Sequence, residues 1–281
     1  MKFGLLCLVL VIMSYGFAFG QGTYTQIDPP GSIMTLCFGI DSAGDIVGYY
    51  EDASFVNHGF IFSLGSYITV DYPENTSTYL SGINDSGQIV GGAGTGNGPE
   101  FGFLYDWPTQ TFVENISYPG SSATGTTAIN NSGAIVGYFA ATVNGQENEY
   151  GFGLVGSTYY RISPPKGGQS IQARGVTSFN GVVGDSNRFG NFSFNRSVYR
   201  HIDIPNHSSA EVLGVNPSGT GVVGSNGGST GFLYSNGRFV TLKFPEADST
   251  TVLGVNSSNE VTGYFSTVDG YHGFTWTPPS H

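Results

Sequence analysis

Six acidic residues and two aromatics in the longest, most varied stretches of the chain are the first candidates for chemistry: Glu51, Asp52, Glu100, Glu147, Glu149 and Asp185, with Tyr50 and Phe189 near them. Carboxylates accept hydrogen bonds and attract cations, and aromatic rings offer flat apolar faces. The set suits a sugar, a cation or a basic protein surface; the plainer alternative is a group of solvated loops. His58 and His272 each precede a Gly-Phe pair. Either they meet as a metal-binding or pH-sensitive pair, or each packs its ring on a neighbouring strand, which is the expectation. His201 and His207 lack the spacing of a zinc pair. The Asp41–Asp45 turn invites a calcium reading, but counterparts such as Asn84-Asp85-Ser86-Gly87 carry mostly amides and neutral groups. Calcium needs several oxygen ligands with enough negative charge, so a structural turn is expected. No serine sits in a Gly-x-Ser-x-Gly elbow, and no motif pairs a His with an Asp. Catalytic residues stay unassigned, and neither a metal site nor a cofactor is called for. The Asn-x-Ser/Thr sequons at Asn75, Asn84, Asn115 and Asn195 read as by-products of Asn-rich turns.

Charge narrows the partners. The chain of 281 residues carries a formal net charge of −11, with only 10% charged residues. That excludes the clustered Lys and Arg needed to bind nucleic acid, and it disfavours anionic membranes. Residues 1–20 read as a signal peptide: Lys2, an apolar run from Leu5 to Met13, and Ala18-Phe19-Gly20 before a cleavage at Gln21. Removing Lys2 with it takes −11 to −12. The run is too short for a comfortable transmembrane span, so no transmembrane anchor is expected after cleavage. The expected location is extracellular or periplasmic. Cys37 then remains as the single cysteine, read as a small buried apolar residue.

The elements that must position these residues are repeated. An apolar residue followed three positions later by proline recurs as Ile27/Pro30, Val70/Pro73, Ile116/Pro119, Ile162/Pro165, Ile202/Pro205 and Leu242/Pro245. Proline cannot donate to a ladder, so this strand belongs at an edge. A second strand ends at Ile40, Ile83, Ile129, Val176, Val215 or Val255. Four residues on stands Gly44, Gly87, Gly133, Asn180, Gly219 or Asn259, the residue types that accept positive φ. Between them Asp41, Asn84, Asn130, Thr177, Asn216 or Asn256 can bond the turn backbone. A glycine inside the next strand (Gly48, Gly91, Gly137, Gly184, Gly224, Gly263) implies a close backbone approach or a bend. A third strand carries Phe60, Phe103, Phe152, Phe192, Phe232 or Phe274, preceded by glycine except at Asn191.

Repeats of about 24–66, 67–110, 111–158, 159–197, 198–238 and 239–281 follow. Units of roughly 40–47 residues with four short strands suit propeller blades. The expected fold is all-β: one domain over 21–281, a six-bladed β-propeller of four-stranded blades, with a β-sandwich as the alternative. The strand ending at Ile40 and its equivalents would be innermost and the proline strand outermost. Because the chain opens on a proline strand, Tyr24–Ile27 should complete the last blade beside His272–Trp276 and close the ring.

The runs Gly82-Ile83-Asn84-Asp85-Ser86-Gly87-Gln88-Ile89-Val90-Gly91 and His58-Gly59-Phe60 resemble the bacterial extracellular HAF-repeat proteins. The resemblance spans nearly the whole mature chain and departs at Thr177 and Asn180. It implies secretion and a propeller-like fold, and no established activity. The expectation is a secreted, monomeric, non-catalytic propeller that binds a glycan or a basic surface through its loop rim. The alternative is a secreted carbohydrate-active hydrolase or lyase.

Overall fold

The structure, a computed structural model, describes residues 22–74, 77–95, 100–143, 145–163, 171–186, 189–195 and 197–279. The leader at 1–20 and Pro165 lie outside them. After β1 (Thr23–Ile27), blade 1 holds β2 (Ser32–Ile40), β3 (Ile46–Asp52), β4 (Asn57–Ser63) and β5 (Ser66–Val70). Blade 2 holds β6 (Ser77–Ile83), β7 (Gln88–Gly94), β8 (Phe101–Asp106) and β9 (Thr111–Ile116). Blade 3 holds β10 (Ala123–Ile129), β11 (Ile135–Val143), β12 (Gln146–Val155) and β13 (Thr158–Ile162). Blade 4 holds β14 (Ile171–Val176), β15 (Val182–Ser186), β16 (Gly190–Asn195) and β17 (Val198–His201). Blade 5 holds β18 (Ala210–Val215), β19 (Gly221–Asn226), β20 (Thr230–Ser235) and β21 (Arg238–Leu242). Blade 6 holds β22 (Ser249–Val255), β23 (Val261–Thr267) and β24 (Gly270–Thr277), and takes β1 as its fourth strand. The six four-stranded antiparallel sheets form a six-bladed β-propeller. The ring closes as the sequence predicts: β1 pairs β24 from Thr23↔Thr277 to Ile27↔Gly273.

One piece of geometry, repeated six times, explains the anchors. Each inner strand has a bulge, for example between Cys37 and Gly39 and between Val252 and Gly254. The bulge turns an inner-strand carbonyl toward the second strand. A Cβ on Gly48 would overlap the Leu36 carbonyl oxygen, and one on Gly263 that of Thr251. The in-strand glycine is therefore obligatory, and Phe60 and Phe274 lie directly opposite these two in the ladder. All six phenylalanines are buried. Each contributes roughly 1.5–3 kcal/mol of apolar burial. Cys37 fills the slot held by Leu80, Val212 and Val252 in other blades and is buried as they are. Burial pushes its thiol up to about 12.

The turn slot also behaves as its residue types dictate, with positive φ from Asn180 (59°) to Gly44 (86°). The described prolines differ from expectation in one respect. They stand beyond the last residue of the outer strand, in the connection to the next blade, rather than in its ladder. The outer strand is at the edge, and the residue before the proline does the work there. Tyr118 stacks on Phe139 at 3.7 Å, and Phe244 on Phe265 at 3.7 Å, each plugging the blade about to begin.

The Asn slot joins blades. Asn84 accepts the amides of Ser86 and Gln88 through Oδ1, then donates from Nδ2 to the Asn130 carbonyl of the next blade at 3.0 Å. Asn130 donates to the Thr177 carbonyl at 2.7 Å, and Asn256 donates across the closure to Asp41 at 2.9 Å. The sequence identifies the turn bond; the step to the next blade emerges only in three dimensions.

Candidate functional site

The inner strands begin at the face carrying the proline connections and the β3–β4-type loops, and they end at the face carrying the Asn turns. On the loop face the central channel widens into a cavity of about 510 Å³. Its floor is the ring of residues skipped by the bulges: Phe38, Ser81, Thr127, Arg174, Leu213 and Leu253. Below them lies a smaller space of about 90 Å³ enclosed by the Asn turns. The ring is divided. Blades 5, 6 and 1 supply Leu213, Leu253 and Phe38, whereas blades 2, 3 and 4 supply Ser81, Thr127 and Arg174.

The walls come from the first and second strands, with Asn57 and Glu149 from the third strands of blades 1 and 3. Tyr49 stacks against Phe38 at 5.7 Å and meets Tyr79 edge-on at 4.9 Å. Asn57 donates to the Tyr79 hydroxyl at 3.2 Å. Burial, with the Tyr79 hydroxyl and the Glu51 carboxylate adding to it, pushes the Tyr49 phenol up to about 12. Tyr138 is raised by burial and by Glu149, against the opposing effect of Arg174. Gly125 leaves the space that the Tyr138 ring occupies; a Cβ there would lie 2.5 Å from the ring. Arg174 bonds Asp185 at 2.8 Å, and Gln172 donates to Glu149 at 3.0 Å.

Of the eight residues singled out in the sequence, Glu51 and Glu149 line this cavity, and Asp185 reaches it through Arg174. The other five lie elsewhere. Tyr50 stacks on His58 at 5.2 Å within blade 1. Asp52 accepts the amides of Val56 and Ser54, and these bonds hold its carboxyl below the usual range. Glu100 is likewise lowered by the hydroxyl and amide of Thr95 and closes its own loop. Glu147 accepts from Ser122 at 2.7 Å, and Phe189 is partly exposed beside Ser186. The two histidines pack as repeat residues: His58 against Tyr50, and His272 against Phe265 at 5.2 Å. Each also bonds its own aspartate, His58 with Asp71 at 3.0 Å and His272 with Asp28 at 2.9 Å. Among the described residues no group of three or more His, Cys, Asp or Glu is placed to hold a metal ion. Among them, too, no helix is long and apolar enough to cross a membrane.

Tyr49, Tyr79, Tyr138, Gln172, Arg174 and the bulge ring were not singled out from the sequence. The available signal was positional: Tyr49 and Tyr138 directly follow the in-strand glycine, and the ring residues directly precede the inner-strand Gly39, Gly82, Ala128, Gly175, Gly214 and Gly254.

No protein-family model and no curated protein matches the chain. Solved structures do match. A gluconolactonase from Xanthomonas campestris is 11% identical, with TM-score 0.56, over 93% of this chain and 91% of that one. The β-propeller domain of the Trilobed protease from Pyrococcus furiosus is 12% identical, with TM-score 0.53, over 88% and 81%. The Aleuria aurantia lectin, in complex with Fucα1-6GlcNAc, is 10% identical, with TM-score 0.50, over 89% and 98%. At these identities the likeness is one of fold.

Proposed function

We propose that the protein is a secreted, non-catalytic binding propeller of the HAF-repeat group, and that it takes a small molecule into the axial cavity on its loop face. One observation supports the site above others. The anchors around each bulge hold to type from copy to copy, whereas the residue each bulge aims into the channel changes from Phe to Ser, Thr, Arg, Leu and Leu. Structural demand alone would fill equivalent slots alike; a ligand that is not six-fold symmetric would not. Cavities of roughly 300–1,000 Å³ are the usual size for small-molecule sites. Of the loop acids, Glu51 and Glu149 line this cavity.

The test is a thermal-shift screen of sugars, organic amines, carboxylates and divalent ions against the wild type and Leu213→Trp, which fills the cavity without removing a hydrogen bond. A ligand at about 100 times its Kd stabilises by about 2.7 kcal/mol. For a domain of this size that raises Tm by roughly 5–10 °C. The rise should occur in the wild type and vanish in Leu213→Trp. No shift with any class would overturn the reading.

A carbohydrate-active enzyme is the second reading, favoured by two carboxylates from different blades at one cavity. The gluconolactonase and the lectin with its Fucα1-6GlcNAc make sugars the first compounds to try. Release of reducing ends from a polysaccharide panel, abolished in both Glu51→Gln and Glu149→Gln, would establish it in place of the first.

A further inference from the structure

The charges and rings in the axial cavity narrow its ligand, an argument that rests on the binding reading above. Arg174 spends its charge on Asp185, 2.8 Å away. Among the described residues Glu149 receives only the neutral amide of Gln172, at 3.0 Å. Glu51 has neither a cation nor a hydrogen-bond donor against it among the described residues. Two carboxylates therefore face the cavity without a compensating cation. Around them stand Phe38, Tyr49, Tyr79 and Tyr138, whose ring faces are negative. A cation over such faces is attracted by the ring quadrupole, the more so once desolvated. An anionic ligand would meet two like charges. A neutral one would leave both carboxylates to be dehydrated without a partner. A hard divalent ion needs six or more oxygens with enough negative charge among them, and Glu51 and Glu149 are the two acidic residues of this lining. Leu213, Leu253 and Phe38 form an apolar arc facing the polar one.

We propose that the ligand is a small organic cation: an alkyl- or arylammonium compound with its nitrogen between Glu51, Glu149 and the tyrosine faces, and its hydrocarbon body on Leu213, Leu253 and Phe38. Recognition is by charge and ring, with no covalent step.

Calorimetric titration with choline, its neutral carbon isostere 3,3-dimethylbutan-1-ol, the anion 3,3-dimethylbutanoate, L-fucose and calcium chloride tests this. Choline should bind at least about tenfold tighter than the isostere, the factor that 1.4 kcal/mol represents. Raising sodium chloride should weaken choline binding, and Glu51→Gln should weaken it about five- to tenfold while melting as the wild type does. Leu213→Trp should abolish it. The isostere matching choline, or binding indifferent to Glu51→Gln, overturns the assignment. If fucose or the anion binds the wild type but not Leu213→Trp and choline does not, the cation assignment fails and the cavity reading stands. If choline binds Leu213→Trp as well as wild type, or if no probe binds, the cavity reading itself fails.

Discussion

The seam between blades 6 and 1 and the seam between blades 4 and 5 join equivalent strands with different chemistry. At the closure, Gly273 lets the next blade approach so closely that a Cβ would lie 2.5 Å from the Cys37 sulfur. Asn256 donates across to Asp41 at 2.9 Å, and the Ser42 and Ser257 hydroxyls meet at 3.2 Å. Asp28, just past β1, accepts from His272 Nδ1 at 2.9 Å and offers its amide to Tyr67 of blade 1 at 3.0 Å. At the other seam Asn191 stands in the glycine slot. Its side chain holds β18 off while bonding it, donating to Ala210 at 2.6 Å and accepting from Val212 at 2.8 Å. Thr177 replaces the bridging asparagine; its hydroxyl accepts from Gly181 of its own turn, and the crossing to blade 5 is a backbone bond from the Ser178 amide to the Pro217 carbonyl at 2.9 Å. Clefts of about 360 and 500 Å³ lie along this seam, and Phe179 beside the second is 80% exposed. Blade 4 also buries the Tyr199 hydroxyl without a partner among the described residues, whereas Tyr24 and Tyr67 accept from connector amides. The junction made from the two ends of the chain is thus the tighter one. Between these two seams, the tighter one has a small residue, Gly273, before the phenylalanine and a turn amide, Asn256, that reaches the next blade.

The largest expected effect comes from breaking the tight seam. Deleting residues 1–27 removes β1, exposes the edge of β24 and loses the buried Ile27. Urea denaturation should show a loss of at least about 4 kcal/mol, or no folded protein. Gly273→Val should cost about 3 kcal/mol by overpacking the closure, whereas Asn191→Gly, which removes two bonds from the open seam, should cost about 1–2 kcal/mol. Asn256→Ala should cost about 2 kcal/mol, and Thr177→Ala less than about 1 kcal/mol, by the same measurement. Thr177→Asn supplies an amide able to donate toward blade 5. It should gain up to about 1 kcal/mol, a rise in Tm of roughly 2–4 °C.

The smallest effect is pH-dependent. Burial, against the amides of Asp45 and Ala43, holds the Asp41 carboxyl above the usual range. The folded state therefore favours the protonated form. Its destabilising share is present at neutral pH and disappears as pH falls through the raised folded value toward the unfolded one. Asp41→Asn should raise Tm by a degree or two at pH 7, on the order of 0.5 kcal/mol, with the difference from wild type shrinking at acid pH.

Much of this architecture is legible in the chain because its causes are local and recur in register. Positive φ at Gly44 or Asn180, the glycine under a bulge carbonyl and the ring opposite it are each imposed from within the same blade, by the turn itself or by an adjacent strand. The site is less legible for the same reason. Comparing copies for what they share discards the slot of Phe38, Ser81 and Arg174, where they differ. Acids in long loops draw attention, yet Asp52 and Glu100 are bound by amides two to five residues distant. Asn191 and Thr177 stand out as departures from the repeat, but that both weaken one seam depends on blade spacing, which no single copy contains.

Hydrogen exchange on the native protein tests the inequality of the seams most directly, because local opening exposes amides in proportion to its free energy. Amides of β14 and β18 should exchange well before those of β2 and β22 under native conditions, and Thr177→Asn should slow them. Equal protection at both seams, or earlier exchange of β1 and β24, would contradict the account.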